Sequence, residues 1–81
     1  MPSYEIAIEF KSGRVTRPMV QQIAGAAIHT RADVREVIIR APSAAKTAQS
    51  AVADYNDDRA SLKNRAGDPV RVTLALGPGR E

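Results

Sequence analysis

The run Val34-Arg35-Glu36-Val37-Ile38-Ile39-Arg40-Ala41, followed at once by Pro42-Ser43, decides the fold of this chain. It is rich in β-branched residues and alternates. Val37, Ile39 and Ala41 fall on one face and Glu36, Ile38 and Arg40 on the other, the period-2 pattern of a strand. A strand in mid-chain needs partners, and both flanks supply one. Upstream, Tyr4, Ile6, Ile8 and Phe10 alternate with Glu5, Ala7 and Glu9, and the apolar set is expected to face the core. Downstream, Val70, Val72, Leu74 and Leu76 are expected inward, with Arg71, Thr73 and Ala75 outward.

Two helical patterns separate the three strands. Thr16 can cap a helix that begins near Arg17, with Pro18 in its first turn, where a missing amide donor costs little. Val20, Ile23, Ala24, Ala27 and Ile28 then form one buried stripe, and Gln21, Gln22 and His29 lie off it. After Pro42, Ser43 offers a second cap. Ala45, Ala48, Val52, Tyr55 and Leu62 have a spacing compatible with a second amphipathic helix, ending by Gly67, a left-handed C-terminal cap before Asp68-Pro69. Residues 77–81, Gly-Pro-Gly-Arg-Glu, read as a frayed tail.

The order β-α-β-α-β, with one-sided strands, predicts an α/β architecture of the α+β two-layer sandwich kind, with both helices on one face of a small sheet. The other face is expected to carry Glu5, Glu9, Arg40, Arg71 and Thr73, with Ala7, Ile38 and Ala75 as an apolar seam.

The chain has 81 residues, 43% of them hydrophobic, which bounds a single small soluble domain. Such a chain buries roughly 60–65% of its unfolded surface, so a deep catalytic interior is not expected and a homodimer interface is a natural supplement. With no Cys there is neither a disulfide framework nor a cysteine zinc site. No apolar run is long enough to span a membrane and no hydrophobic leader core is seen, which places the protein in the cytoplasm, away from membranes.

Catalytic and cofactor chemistry finds little support. His29 stands alone, with no second His and no Cys, and reads as a surface helix residue. Asp54, Asp57 and Asp58 lack the alternation of a calcium loop. With Arg59, Lys63 and Arg65 at i, i+4 to i+5 spacing, they read as a salt-bridged helix face. Gly13 and Gly25 are isolated, so no phosphate-cradling glycine motif is matched. Tyr4, Phe10 and Tyr55 all fit core-facing periodicities, which disfavours a base-stacking platform. The expectation is therefore a protein that is not an enzyme and needs no cofactor or metal.

What remains is charge. Lys plus Arg number 12 against 9 Asp plus Glu, a net of +3, and nine of the 12 cations are Arg, whose planar fork suits phosphate oxygens. If the first helix crosses over between parallel strands, the loops 11–17 and 40–46 emerge together beyond the strands' carboxyl ends. Lys11, Arg14, Arg17, Arg40 and Lys46 gather there. No acidic residue occurs between Lys11 and Arg31 or between Arg40 and Ala53. Both helices begin at this edge, with Thr16 and Ser43 as caps, so free amides and positive dipole ends face the same space. This is an anion site suited to nucleic-acid phosphates.

The stretch Thr16 to Tyr55, about half the chain, resembles the Alba family of chromatin and RNA-binding proteins. The resemblance lies in Arg17-Pro18-Met19 opening the first helix, its Ala-rich body, the strand Glu36-Val37-Ile38-Ile39-Arg40-Ala41, and the Ala-rich second helix. The run Ile23-Ala24-Gly25-Ala26-Ala27-Ile28 also looks like the stage V sporulation protein S group of the same superfamily. The resemblance implies a homodimer that contacts DNA or RNA backbone through the loop before the first helix and the loop after the second strand, and so points to Arg17 and Arg40. Three departures accompany it. The chain shows one clear C-terminal strand where the family has a two-stranded arm. Pro42-Ser43-Ala44 stands where basic residues are usual, and Arg17 where Lys is common. A rival reading is a protein-interaction module or small regulator that uses the open sheet face or an edge strand. A further one is a pocket for a small phosphorylated metabolite at the helix starts.

Overall fold

The computed structural model describes residues 5–57 and 62–77. Its elements in chain order are β1 (Glu5–Phe10), β2 (Arg14–Val15), α1 (Arg17–Thr30), β3 (Val34–Ala41), β4 (Ser43–Ala44), α2 (Lys46–Tyr55), β5 (Leu62–Lys63) and β6 (Pro69–Leu76). A four-stranded mixed sheet has the order β1-β3-β6-β5, and β2 and β4 form a separate two-stranded ladder. Strands β1, β3 and β6 are parallel, and β5 runs antiparallel to β6. Two crossovers of the same hand that step in one direction, from β1 to β3 to β6, put both helices on one face. The expected α+β two-layer sandwich is observed.

The core lies between that face and the helices. Val37, Ile39, Val70 and Val72 of the sheet are fully or almost fully buried in one cluster with Val20 and Ala27 of α1 and Ala48 and Ala51 of α2. The helices meet it with small side chains, which lets them approach the sheet and each other closely. Ile23 and Ile28 are half-buried on the rim of the same cluster, and His29 is exposed.

The first strand is reversed relative to expectation. Ile6, Ile8 and Phe10 are 43%, 52% and 71% exposed. The register sets Ala7 beside Val37 and Glu9 beside Ile39, so Ala7 and Glu9 take the helix side. The helices pack over β3 and β6, leaving the edge strand β1 thinly covered. Small Ala7 and rim-facing Glu9 fit there, and a shallow groove of about 370 Å³ opens between Ala7 and Ile23, Ala26 and Ala27 of α1. Alternation identifies two faces but does not say which one is inside. Tyr4 lies outside the described residues, and Tyr55 is half-buried against the core as expected.

The second helix stops at Tyr55, well short of Gly67. Asn56 ends it by turning its side chain to β6, where Nδ2 donates to the Val72 carbonyl (2.8 Å) and Oδ1 accepts from the Val72 amide (2.9 Å). The carboxamide thus acts as a one-residue strand partner. Leu62 belongs to β5, so the C-terminal part is a short hairpin rather than a lone strand. The proposed helix face of Asp54, Asp57, Lys63 and Arg65 is therefore absent, since Lys63 lies in β5 and Arg65 in the turn. Asp58 and Arg59 lie outside the described residues, as does the tail beyond Gly77.

Gly67 has the expected positive φ, +90°, but in the hairpin turn. That turn is built on Asn64, 5% exposed, whose Oδ1 accepts from the amides of Ala66 and Asp68 (both 2.9 Å) while Nδ2 donates to the Val34 carbonyl (2.7 Å). An Arg35–Asp68 ion pair of 3.2 Å lies at the same end. The amino end of β3 is thus closed by structural contacts, and the charge constellation sits at the opposite end.

Candidate nucleic-acid interface

The parallel pairing of β1 with β3 sets Phe10 beside Arg40, so both chains leave the sheet at one end. They do not part there. The Lys11 amide donates to the Arg40 carbonyl (2.9 Å). The β2–β4 ladder then pairs Arg14 with Ser43 and Val15 with Ala44, and the Ala45 amide donates to the Val15 carbonyl (2.8 Å). Val15 is fully buried and pins the first loop into the core. Two loops distant in sequence become one short ribbon.

That ribbon fixes the candidate cations. Arg14 and Ser43 are exposed neighbours on it. Arg17 and Lys46, both exposed, are the first residues of α1 and α2. Lys11 is half-buried, with Nζ 3.6 Å from a Glu9 carboxylate oxygen, so its charge is partly compensated. Arg40 projects from the open face of the sheet, its guanidinium carbon 6.0 Å from the centre of the Phe10 ring. The topology thus gathers Lys11, Arg14, Arg17 and Lys46 along the ribbon, and Arg40 extends the set onto the sheet.

The caps differ from expectation. Thr16 occupies the cap position of α1, with its carbonyl accepting from the Val20 amide (3.1 Å), but its hydroxyl makes no capping bond. Ser43 is not a cap: it lies in β4, and Ala45 precedes α2. The ladder, which two-residue strands make invisible to periodicity, shifts the helix start by two residues. Neither helix has an acidic residue in its first turn. Each positive helix end therefore faces a cation rather than a balancing carboxylate, an arrangement a bound anion would relieve.

The open face of the sheet is more apolar than the sequence suggested. It is arranged in three rows across β1, β3 and β6: Phe10, Arg40, Ala75; then Ile8, Ile38, Thr73; then Ile6, Glu36, Arg71. Arg40, Arg71, Thr73, Ile38 and Ala75 were expected there. Glu9 and Ala7 are not there, and Ile6, Ile8 and Phe10 are. The apolar alternation of β1 carries the signal, but its apolar side is the open one.

No group of three or more His, Cys, Asp or Glu side chains among the described residues is placed to hold a metal, and none of their helices is long and apolar enough to cross a membrane. The chain matches no known family model, no curated protein sequence and no solved structure.

Proposed function

We propose that this protein is a non-enzymatic, cytoplasmic nucleic-acid-binding protein that grips backbone phosphates with little sequence reading and works as a homodimer. The observation that carries the reading is the ribbon joining loops 11–17 and 40–46, which concentrates Lys11, Arg14, Arg17 and Lys46 beside two helix starts. Amides in the first turns, at Arg17 and Met19 of α1 and at Lys46 and Thr47 of α2, add hydrogen-bond donors for phosphate oxygens. Arginine forks supply paired contacts, which position the backbone without reading bases. The resemblance to Alba proteins supports the same assignment through Arg17 and Arg40. Whether the natural ligand is DNA or RNA is decided by contacts other than these.

The test is the double substitution Arg14→Glu with Arg17→Glu. Both side chains are exposed, so the fold should survive, as far-UV circular dichroism would confirm. Binding to labelled DNA and RNA should be lost by fluorescence anisotropy. Undiminished affinity in the folded variant would overturn the reading. A protein-interaction module remains the second reading, favoured by exposed Ile6, Ile8 and Phe10 beside half-buried Ile38; it predicts no nucleic-acid binding at low salt.

A further inference from the structure

We propose that the open face of the sheet around Phe10 and Arg40 is a stacking platform for the unpaired bases of single-stranded nucleic acid, so that single strands bind in preference to duplex. The inference rests on the phosphate-binding reading above and deepens it by naming the form of the ligand.

Phe10 is the last residue of β1 and, among the described residues, the most exposed of the large apolar side chains, at 71%. An aromatic ring left in water forgoes the stabilisation that burial would bring, and an exposed ring on a sheet is a surface on which bases stack. Its neighbour in the same row, Arg40, lays its planar guanidinium over the ring, 6.0 Å from the ring centre and at the limit of a cation–π contact. A base can stack on the outer face of the ring or on the outer plane of the guanidinium. The next row offers Ile8 and Ile38 as apolar floor and the Thr73 hydroxyl as a hydrogen-bonding edge. The third row sets Glu36 beside Arg71 and Ile6 and holds no aromatic ring, so the platform ends after two rows. At its other end the residue after Phe10 is Lys11, where the cationic ribbon begins. The charge is thus arranged as a single strand requires: bases on the sheet, phosphates on the ribbon.

A duplex cannot use this surface, because its base faces are stacked on one another and a flat sheet does not enter a groove that admits a helix or a two-stranded ribbon. A second copy of the chain is a poor occupant too. The three paired strands span a projected area of only about 14 × 20 Å. Glu36, Arg40 and Arg71 would also lie within it, although charged residues are depleted from interface cores.

The experiment compares a fluorescein-labelled oligothymidylate with a duplex of the same length, for the native chain, Phe10→Leu and Phe10→Trp. Leucine keeps the apolar bulk and removes the ring at a site where packing is not at stake. The native chain should bind the single strand more tightly. Phe10→Leu should lose between about five- and a hundredfold on the single strand, the worth of one stacked base, with an unchanged salt slope and unchanged duplex affinity. The chain has no Trp, so Phe10→Trp reports on this surface alone. Its emission should be quenched by the oligothymidylate and not by the duplex. Equal single-strand affinity of Phe10→Leu, with unquenched emission from Phe10→Trp, would overturn the platform; salt-sensitive binding of both ligands would then leave the phosphate reading standing. Absence of binding to either ligand would remove both. If Phe10→Leu instead turned a sedimenting dimer into a monomer with nucleic-acid affinity intact, the face would belong to a second copy and the platform would be refuted.

Discussion

Neutralising the ribbon should flatten the salt dependence of binding by an amount that the structure sets. Lys11 sits 3.6 Å from Glu9 and is partly compensated, and Arg40 belongs to the sheet face that a duplex does not use, which leaves Arg14, Arg17 and Lys46 as three cations available to duplex phosphates. Each phosphate neutralised on B-DNA contributes about −0.9 to the slope of log affinity against log salt, so a duplex gripped by one edge should give a slope of about −2.7. Replacing Arg14, Arg17 and Lys46 together by Gln should bring the slope close to zero. Over a roughly fourfold rise in salt, the native chain should lose about 40-fold in affinity and the triple variant almost none. The variant should fold at least as well, because two of the three charges removed stand at helix ends of their own sign. Fluorescence anisotropy of a labelled duplex across a salt series measures both slopes. An unchanged slope in the triple variant would refute the reasoning, since the cations would then not be the groups displacing counterions.

Two predictions concern the fold that holds the ribbon in place. Asn64→Ala removes three hydrogen bonds from a buried site and should destabilise by about 2–4 kcal/mol, lowering Tm by roughly 10–25 °C; Asn64→Asp should not rescue, because it lacks the donor facing the Val34 carbonyl. Differential scanning calorimetry of both variants checks this, with equal Tm in Asn64→Asp and the native chain counting against the donor's role. Gly67→Ala meets no steric neighbour but must hold φ at +90°, so a loss of about 1–2 kcal/mol is expected from urea unfolding. A neutral outcome would mean that the turn relaxes to another type.

How much was legible in the sequence follows from the length over which each signal repeats. The strand Val34–Ala41 and the stripe from Val20 to Ile28 repeat often enough to mark both element and face, and α1 begins at Arg17 as read from Pro18 and Thr16. The β2–β4 ladder has two residues a side and no periodicity, so Ser43 looked like a cap. The end of α2 is set by Asn56 bonding to Val72, 16 residues away, which no local pattern records. The gathering of the cations at one end of the sheet does not depend on these elements but on one topological feature, parallel strands joined by a crossover, which the structure has.

The reversed face of β1 has the largest consequence for function. Alternation permitted Ile6, Ile8 and Phe10 to lie inside, and hydrophobicity favoured it, but the crossovers cover β3 and β6 and leave β1 at the edge, where the helix side has room for Ala7. The apolar residues therefore face outward beside Arg40, and the Phe10–Arg40 pair becomes the hinge between two surfaces. Through its side chain Arg40 sits against the ring, and through its carbonyl it holds the amide of Lys11, the first residue of the cationic loop. On the proposed reading, a strand with its bases on the sheet reaches the ribbon within one residue of Phe10. Loss of the ring and loss of the ribbon cations should then be coupled for single strands and uncoupled for duplex. A double-mutant cycle between Phe10→Leu and Arg14→Gln measures that coupling: an interaction energy near zero on both ligands would mean that platform and ribbon do not share one strand.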